Sequence, residues 1–244
     1  MISDLKTWTL LEQTTEDTKY MQPLFMFVSS VFVEIFGETV MNKEPCILYN
    51  DISADFPMLI RNTTPIRIRT NAKSLNYWAQ FIFNLSHEMT HYVIRQYKPD
   101  KAAIVKWFEE TLCEAMSLYI LRLCSSRWNE CILFPLNAGY GKSLEDYLLN
   151  EYLNTEDSVL KKCHTVHGLE LVESSCEVNR KERSIERNYL YDTFCEMPNN
   201  IAEFVYYPLY VRDNIQIDFN AWEHNQECSQ LVLRLKDIHP VLTA

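Results

Sequence analysis

Apolar side chains recur with a helical period early in the chain. Leu24, Val28, Val31 and Ile35 are spaced three or four residues apart, which places them on one face of a helix. Pro23 directly precedes Leu24, as expected for the first turn of a helix. Gly37 directly follows Phe36, as expected for the end of a helix. The pattern predicts a core helix over residues 24–36.

Three shorter stretches follow with a strand-like pattern, at 46–49, 58–61 and 65–70. In the third, isoleucine and arginine alternate strictly after Pro65, so the isoleucines should face a core and the arginines solvent. Proline cannot donate to a sheet ladder and is typical of an edge strand. We therefore expect 65–70 to be an edge strand, with backbone groups free to pair with an extended peptide.

Two long helical patterns come next, at about 75–97 and from Asp100, as N-cap, through Tyr119. Weaker patterns predict helices at 143–152, 170–194, 200–207 and 226–235 and a strand at 215–219. Only four glycines occur in 244 residues, which favours a compact, mostly helical α+β protein. We expect residues 1–125 to form a catalytic core and 126–244 a helical C-terminal extension that forms one compact unit with it.

Charge and cysteine content narrow the classes of function. The net charge of −10 argues against nucleic acid as a partner, because phosphate binding needs a basic surface. The eight cysteines lack close CxxC pairs, which favours reduced thiols in a cytoplasmic protein. The N-terminus lacks the pattern of a secretory signal, and no apolar run reaches the ~20 residues of a membrane span.

The helix at 75–97 carries His87, Glu88 and His91 as a His-Glu-x-x-His pattern. Histidines four residues apart lie on one helical face, so both imidazoles can reach one metal ion. This pattern is typical of zinc peptidases, in which the glutamate is the general base. A hydrolytic zinc usually takes a third protein ligand and keeps one position for water.

The next helix offers that third ligand. Glu110 lies 19 positions after His91, and a short link allows its helix to fold back onto the first. Glu114, one turn further, could accept an N–H from a ligating imidazole. Glu109 and Glu114 are alternative third ligands, although Glu109 points about 100° away from Glu110 and is expected to face solvent.

The two histidines and Glu88, followed by Glu110 and Glu114 on a second helix, resemble the gluzincin, or thermolysin-like, zinc metallopeptidases. The resemblance spans about 65–119 and implies a zincin-like fold, in which a small mixed sheet with an edge strand packs on the active-site helix. Glu114 stands where the clan commonly has aspartate, and Thr111 where many members have glycine. Metzincins are disfavoured, because Ile94 and Tyr97 stand where they need a glycine and a third histidine.

The resulting hypothesis is a Zn²⁺-dependent peptidase acting on peptides or proteins, with Glu88 as general base and no membrane partner. The alternative is a catalytically silent zincin-like binding or regulatory module with a structural zinc. An oxyanion-stabilising residue is also expected, and Tyr140 is one candidate. Cys163, His164 and His167 could bind a second metal, but a solvated loop is the favoured interpretation.

Overall fold

The computed structural model describes residues 5–11, 14–15, 17–99, 102–177, 179–213, 215–225 and 229–240. About 62% of the chain is helical, with a small mixed sheet, which confirms a mostly helical α+β protein. The chain divides into two compact units, the first of residues 1–96 and 117–150 and the second of residues 97–116 and 151–244. No helix among the described residues is long and apolar enough to cross a membrane.

The predicted core helix of the first unit is α1, Gln22–Phe36. Leu24, Val28 and Val31 are fully buried, because their spacing places them on its inner face. Gly37 ends the helix with φ of +85°, a conformation that favours glycine. A single turn, α2, follows at Glu38–Met41.

The sheet of the first unit has four strands in the order β1-β2-β4-β3. They are β1 Trp8–Leu11, β2 Cys46–Asn50, β3 Met58–Ile60 and β4 Ile66–Thr70. Strands β1, β2 and β4 are parallel, and β3 pairs with β4 in the antiparallel direction. The sheet is therefore mixed, and β3 lies at one of its edges.

The prediction that 65–70 is an edge strand was wrong, because β4 lies between β2 and β3. Pro65 precedes the strand rather than standing in it, so its missing N–H removes no bond from the ladder. The alternation itself is confirmed, since Ile66 and Ile68 are buried while Arg67 is exposed. Helix α3, Trp78–Arg95, packs on β3 and β4.

Helix α4, Lys106–Ser126, begins in the second unit and ends in the first. Asp100, the predicted N-cap, lies outside the described residues, and the helix begins later than expected. Both carboxylate oxygens of Glu173 accept hydrogen bonds from the first backbone N–H groups, those of Lys106 at 2.9 Å and Trp107 at 3.1 Å. A carboxylate from a distant segment thus caps α4.

The remaining helices and strands are mostly of the predicted type, but most of them begin or end at other residues than predicted. They are α5 Tyr140–Leu153, α6 Val166–Ser175, α7 Ser184–Glu196, a 3₁₀-helical stretch Pro198–Tyr210, strands β5 Val211–Arg212 and β6 Gln216–Ile217, and helices α8 Phe219–Asn225 and α9 Gln230–Asp237. The strand expected at 215–219 is shorter, because α8 begins at Phe219.

Candidate metal centre

Helix α3 buries three ionisable side chains within a little more than one turn. His87 and Glu88 are 3% exposed and His91 is 6% exposed. The imidazole centroids of His87 and His91 are 4.9 Å apart, with the rings inclined at 73°. The helical period therefore brings two nitrogen ligands side by side, as the sequence predicted.

These groups are buried because nearly all of α3 is buried. Apolar neighbours on the helix, Phe81, Leu85, Met89 and Val93, are inaccessible to solvent. Placing imidazoles and a carboxylate in such an interior is costly unless they bind something there. Their burial favours a binding role over a solvent-facing helix surface.

Arg61 is a neighbour of the histidines that sequence analysis missed. It follows edge strand β3 directly, and its Nη2 lies 3.1 Å from Nδ1 of His91. Because a guanidinium only donates hydrogen bonds, Nδ1 of His91 is the acceptor. No motif marks Arg61 in the sequence, since its proximity to His91 follows from the packing of β3 against α3.

His87 and His91 form a buried pair that could hold a metal ion. Their ligand nitrogens lie within 4.8 Å of each other. Imidazole is a ligand that zinc commonly takes.

The predicted third ligand, Glu110, lies on α4 and is half-buried. Its role as a ligand stays a prediction. The expectation that Glu109 faces solvent was wrong, because its side chain is 1% exposed and accepts a hydrogen bond from the Tyr207 hydroxyl. The helical angle between Glu109 and Glu110 was correct, but both sides of α4 are covered in this region.

Glu114 is buried in an ion pair. Its Oε1 accepts a hydrogen bond from Nη2 of Arg183 at 3.2 Å, and both side chains are almost inaccessible to solvent. Nε of Arg180 is 3.9 Å from the same oxygen. Glu114 therefore has a structural partner, and its predicted bond to an imidazole stays a prediction.

Tyr140, the candidate oxyanion residue, is the first residue of α5 and contacts the start of α3. Its hydroxyl accepts a hydrogen bond from the backbone N–H of Ala79 at 3.2 Å, and burial raises its pKa. Ala79 precedes His87 by two helical turns, or roughly 12 Å along the axis. This places Tyr140 at the helix terminus rather than beside the histidines.

The second candidate cluster is exposed. His164 and His167 face solvent, and Nδ1 of His167 lies 3.5 Å from Glu170. The Cys163 thiol donates to the carbonyl of Thr165 at 3.6 Å. Within the described ranges these residues form no group close enough to share a metal, but His167 lies on α6 rather than in the expected loop.

Three kinds of comparison with known proteins found no match for this chain. No protein-family model matches it, and neither a curated protein nor a solved structure is significantly similar to it.

Proposed function

We propose that this protein is a zinc-dependent metallopeptidase in which His87 and His91 bind the metal. The observation that carries the proposal is the buried arrangement of His87, Glu88 and His91 on α3, with the imidazole centroids 4.9 Å apart. An intact glutamate between the two histidines has a use in hydrolysis that a purely structural site lacks. The resemblance to gluzincins supports the same activity.

The residues of this chain would divide the chemistry between them. Zinc, when bound, would polarise a carbonyl group and lower the pKa of a coordinated water towards ~7. Glu88 would accept the proton of the attacking water and deliver it to the leaving amine. His87 and His91 would hold the metal, with Glu110 as the predicted third ligand.

The sheet supports a peptide or protein as the substrate. Strand β3 lies at an edge, so the outer backbone groups of that strand can pair with an extended peptide. Arg61 follows β3 and contacts His91. This edge, rather than β4, is therefore the surface along which we expect a peptide to reach the histidines.

A structural zinc site is the second candidate function. The deep burial of His87 and His91 favours it, because structural zinc sites are closed to solvent. In that case the protein would be a binding or regulatory module, and Glu88 would have no chemical role.

We also propose a cytoplasmic location, in which the thiols stay reduced. The seven cysteines in the described ranges form no disulfide, and proteins of oxidising compartments commonly do.

The decisive experiment measures zinc content and peptide hydrolysis in wild type and Glu88→Gln. We expect one zinc per chain in both, and activity in wild type that falls by about 10²–10⁴-fold in the variant. Absence of stoichiometric zinc from wild type would overturn the proposal. Zinc in both proteins with no cleavage of a broad peptide library would favour the structural module.

The third ligand is tested with Glu110→Gln. Loss of zinc in this variant would identify the predicted carboxylate, and an unchanged zinc content would exclude it. Glu170→Gln on α6 is a matched control, since this glutamate is exposed and should leave zinc content unchanged.

A further inference from the structure

Asn84 is a buried polar residue of α3 that the proposed peptidase chemistry does not use. Its neighbours along the chain are apolar, and Phe81, Ile82, Phe83 and Leu85 are all at most 5% exposed. Asn84 itself is 8% exposed. Because asparagine is a weaker helix former than leucine and is mostly exposed in proteins, neither helix propensity nor packing explains its presence at this position.

The carboxamide of Asn84 has no hydrogen-bond partner among the residues that the structure describes. By contrast, the buried hydroxyl of Thr90 on the same helix donates to the carbonyl oxygen of Ser86 at 2.7 Å. The nitrogen and oxygen of the Asn84 side chain are not among the fully enclosed atoms that lack a partner, so solvent reaches them. A carboxamide carries two donor hydrogens and an acceptor oxygen, and both kinds of group are therefore accessible to a ligand.

The position of Asn84 on α3 places its side chain on the same face as the candidate metal centre. An α-helix turns by about 100° per residue, so Asn84 lies about 60° around the axis of α3 from His87. On the same scale His91 lies at about 40° and Glu88 at about 100°. Asn84 therefore points in a direction between those of His91 and Glu88, about 6 Å before Glu88 along the axis.

A peptide that reaches Glu88 brings one of its side chains to Asn84. Consecutive residues of an extended chain are about 3.3–3.6 Å apart, so residues within two positions of the scissile bond can reach Asn84. The backbone of such a peptide pairs with the edge of β3 in the binding mode described above, which leaves its side chains for Asn84. A substrate carboxamide is the best match, because it accepts from Nδ2 and donates to Oδ1 of Asn84 at the same time.

We propose that Asn84 is a specificity-determining residue, which selects peptides with glutamine or asparagine within two residues of the scissile bond. The inference rests on the proposed peptidase function and adds the class of substrate. A peptide with an apolar side chain at that position covers the Asn84 carboxamide without giving it a partner. The loss of its water without a replacement hydrogen bond disfavours the apolar substrate.

The test begins with a peptide library that wild type and Asn84→Leu cleave, with the cut bonds identified by mass spectrometry. Leucine is close in size to asparagine and has no hydrogen-bonding group. In wild type we expect glutamine and asparagine to be enriched at one position within two residues of the cut bond. In Asn84→Leu apolar residues should replace them. Asn150→Leu, at an exposed position on α5, is the matched control and should keep the wild-type preference.

A pair of matched peptides then measures the size of the effect. The best glutamine peptide is compared with its methionine analogue, which has nearly the same shape. We expect kcat/KM for the methionine peptide to be at least about tenfold lower in wild type and no lower in Asn84→Leu. The zinc content of Asn84→Leu should equal that of wild type, because Asn84 is not one of the proposed ligands.

Peptide binding without turnover is measured by isothermal titration calorimetry in Glu88→Gln. The glutamine peptide should bind about tenfold more tightly than the methionine peptide. Addition of Asn84→Leu to this variant should abolish the difference. Equal binding of the two peptides to Glu88→Gln would show that Asn84 does not recognise the glutamine side chain and would overturn the inference.

The outcomes distinguish this inference from the proposed function. Wild type that cleaves the glutamine and methionine peptides equally well would overturn the inference alone, as would a folded Asn84→Leu variant that keeps the glutamine preference. Absence of zinc, or of any peptide cleavage, in wild type would overturn the proposed function and this inference with it. If circular dichroism shows that Asn84→Leu does not fold, the ratio of the two kcat/KM values in wild type decides.

Discussion

The two units bury their polar groups in different ways. In the first, His87, Glu88 and His91 lie within a little more than one turn of α3. In the second, Glu109 and Glu114 pair with residues 98 and 69 positions away, and Glu173 caps a helix 67 positions before it. The spacing of residues on one helical turn can be read from a sequence, whereas hydrogen bonds between residues far apart in the chain cannot.

The difference also separates residues that would bind a ligand from residues that stabilise the fold. The buried groups on α3 lie near one another on one face of a single helix, which suits ligand binding. Glu109 and Glu114, by contrast, are held by Tyr207 and Arg183. Substitutions in the second unit should therefore change stability most, and substitutions around α3 should change metal binding.

The largest effect is expected for Arg183→Met. The variant leaves Glu114 as a buried carboxylate without its closest cation, since both side chains are about 1% exposed or less. We expect the free energy of unfolding to fall by ~3–5 kcal/mol in urea denaturation. Replacing Glu114 by Met as well should recover part of this loss.

Lys142→Met is the control for Arg183→Met, because Lys142 pairs with Glu145 and Asp146 at an exposed site. Exposed ion pairs contribute little, so we expect a loss below about 1 kcal/mol. A loss in Arg183→Met no larger than in this control would contradict the structural role of the buried pair.

A smaller loss is expected for Tyr207→Phe. The change removes the hydroxyl that donates to Glu109, which leaves a buried carboxylate oxygen without that donor. We expect the free energy of unfolding to fall by ~1–3 kcal/mol. Tyr77→Phe, at a side chain 66% exposed, should be neutral, and a similar effect in both variants would refute the importance of the bond.

In the first unit, Arg61→Met should strengthen zinc binding. The guanidinium lies against His91, where its charge repels a metal ion and its hydrogen bond occupies Nδ1. We expect the zinc Kd to fall about tenfold, or ~1.4 kcal/mol, in competition with a chromophoric chelator. Arg69→Met on β4 is the control, and weaker zinc binding in Arg61→Met would instead indicate that the arginine supports the site.

The smallest effect concerns the pH dependence of the cap on α4. Burial raises the pKa of Glu173 above its ordinary value of 4.5, so the folded state holds this proton more tightly than the unfolded state. The stabilisation of the folded state by protonated Glu173 is therefore present below pH 4.5 and is lost as the pH rises through the raised pKa.

Thermal unfolding at a series of pH values tests this prediction with Glu173→Gln. The Tm of wild type should fall relative to the Tm of Glu173→Gln as the pH rises above 4.5. Glu170→Gln, exposed on the same helix, should show no such trend. A difference in Tm between wild type and Glu173→Gln that does not change with pH would contradict a raised pKa of Glu173.

Much of the first unit could be predicted from the sequence. Helix α1 and the alternation of β4 follow from regular spacing, because the apolar period of a helix or a strand depends on neighbouring residues alone. The edge position of 65–70 could not be predicted this way, since the strand order depends on which strands pair. Pro65 was a misleading signal because it lies just outside β4.

The second unit was harder to predict because its helix bounds depend on distant residues. Helix α4 begins at Lys106, where the Glu173 carboxylate accepts its first N–H groups. Capping by a residue from another segment leaves no local pattern, so propensity and spacing place such a terminus wrongly.

The sequence by itself determined that His87, Glu88 and His91 share a short stretch of one helix, because residues four apart in a helix always lie on one face. Only the tertiary structure decided their neighbours. The order of the strands placed β3 at an edge and brought Arg61 to His91. Packing within the second unit buried Glu109 against Tyr207, because contacts between distant segments depend on the shape and burial of whole surfaces.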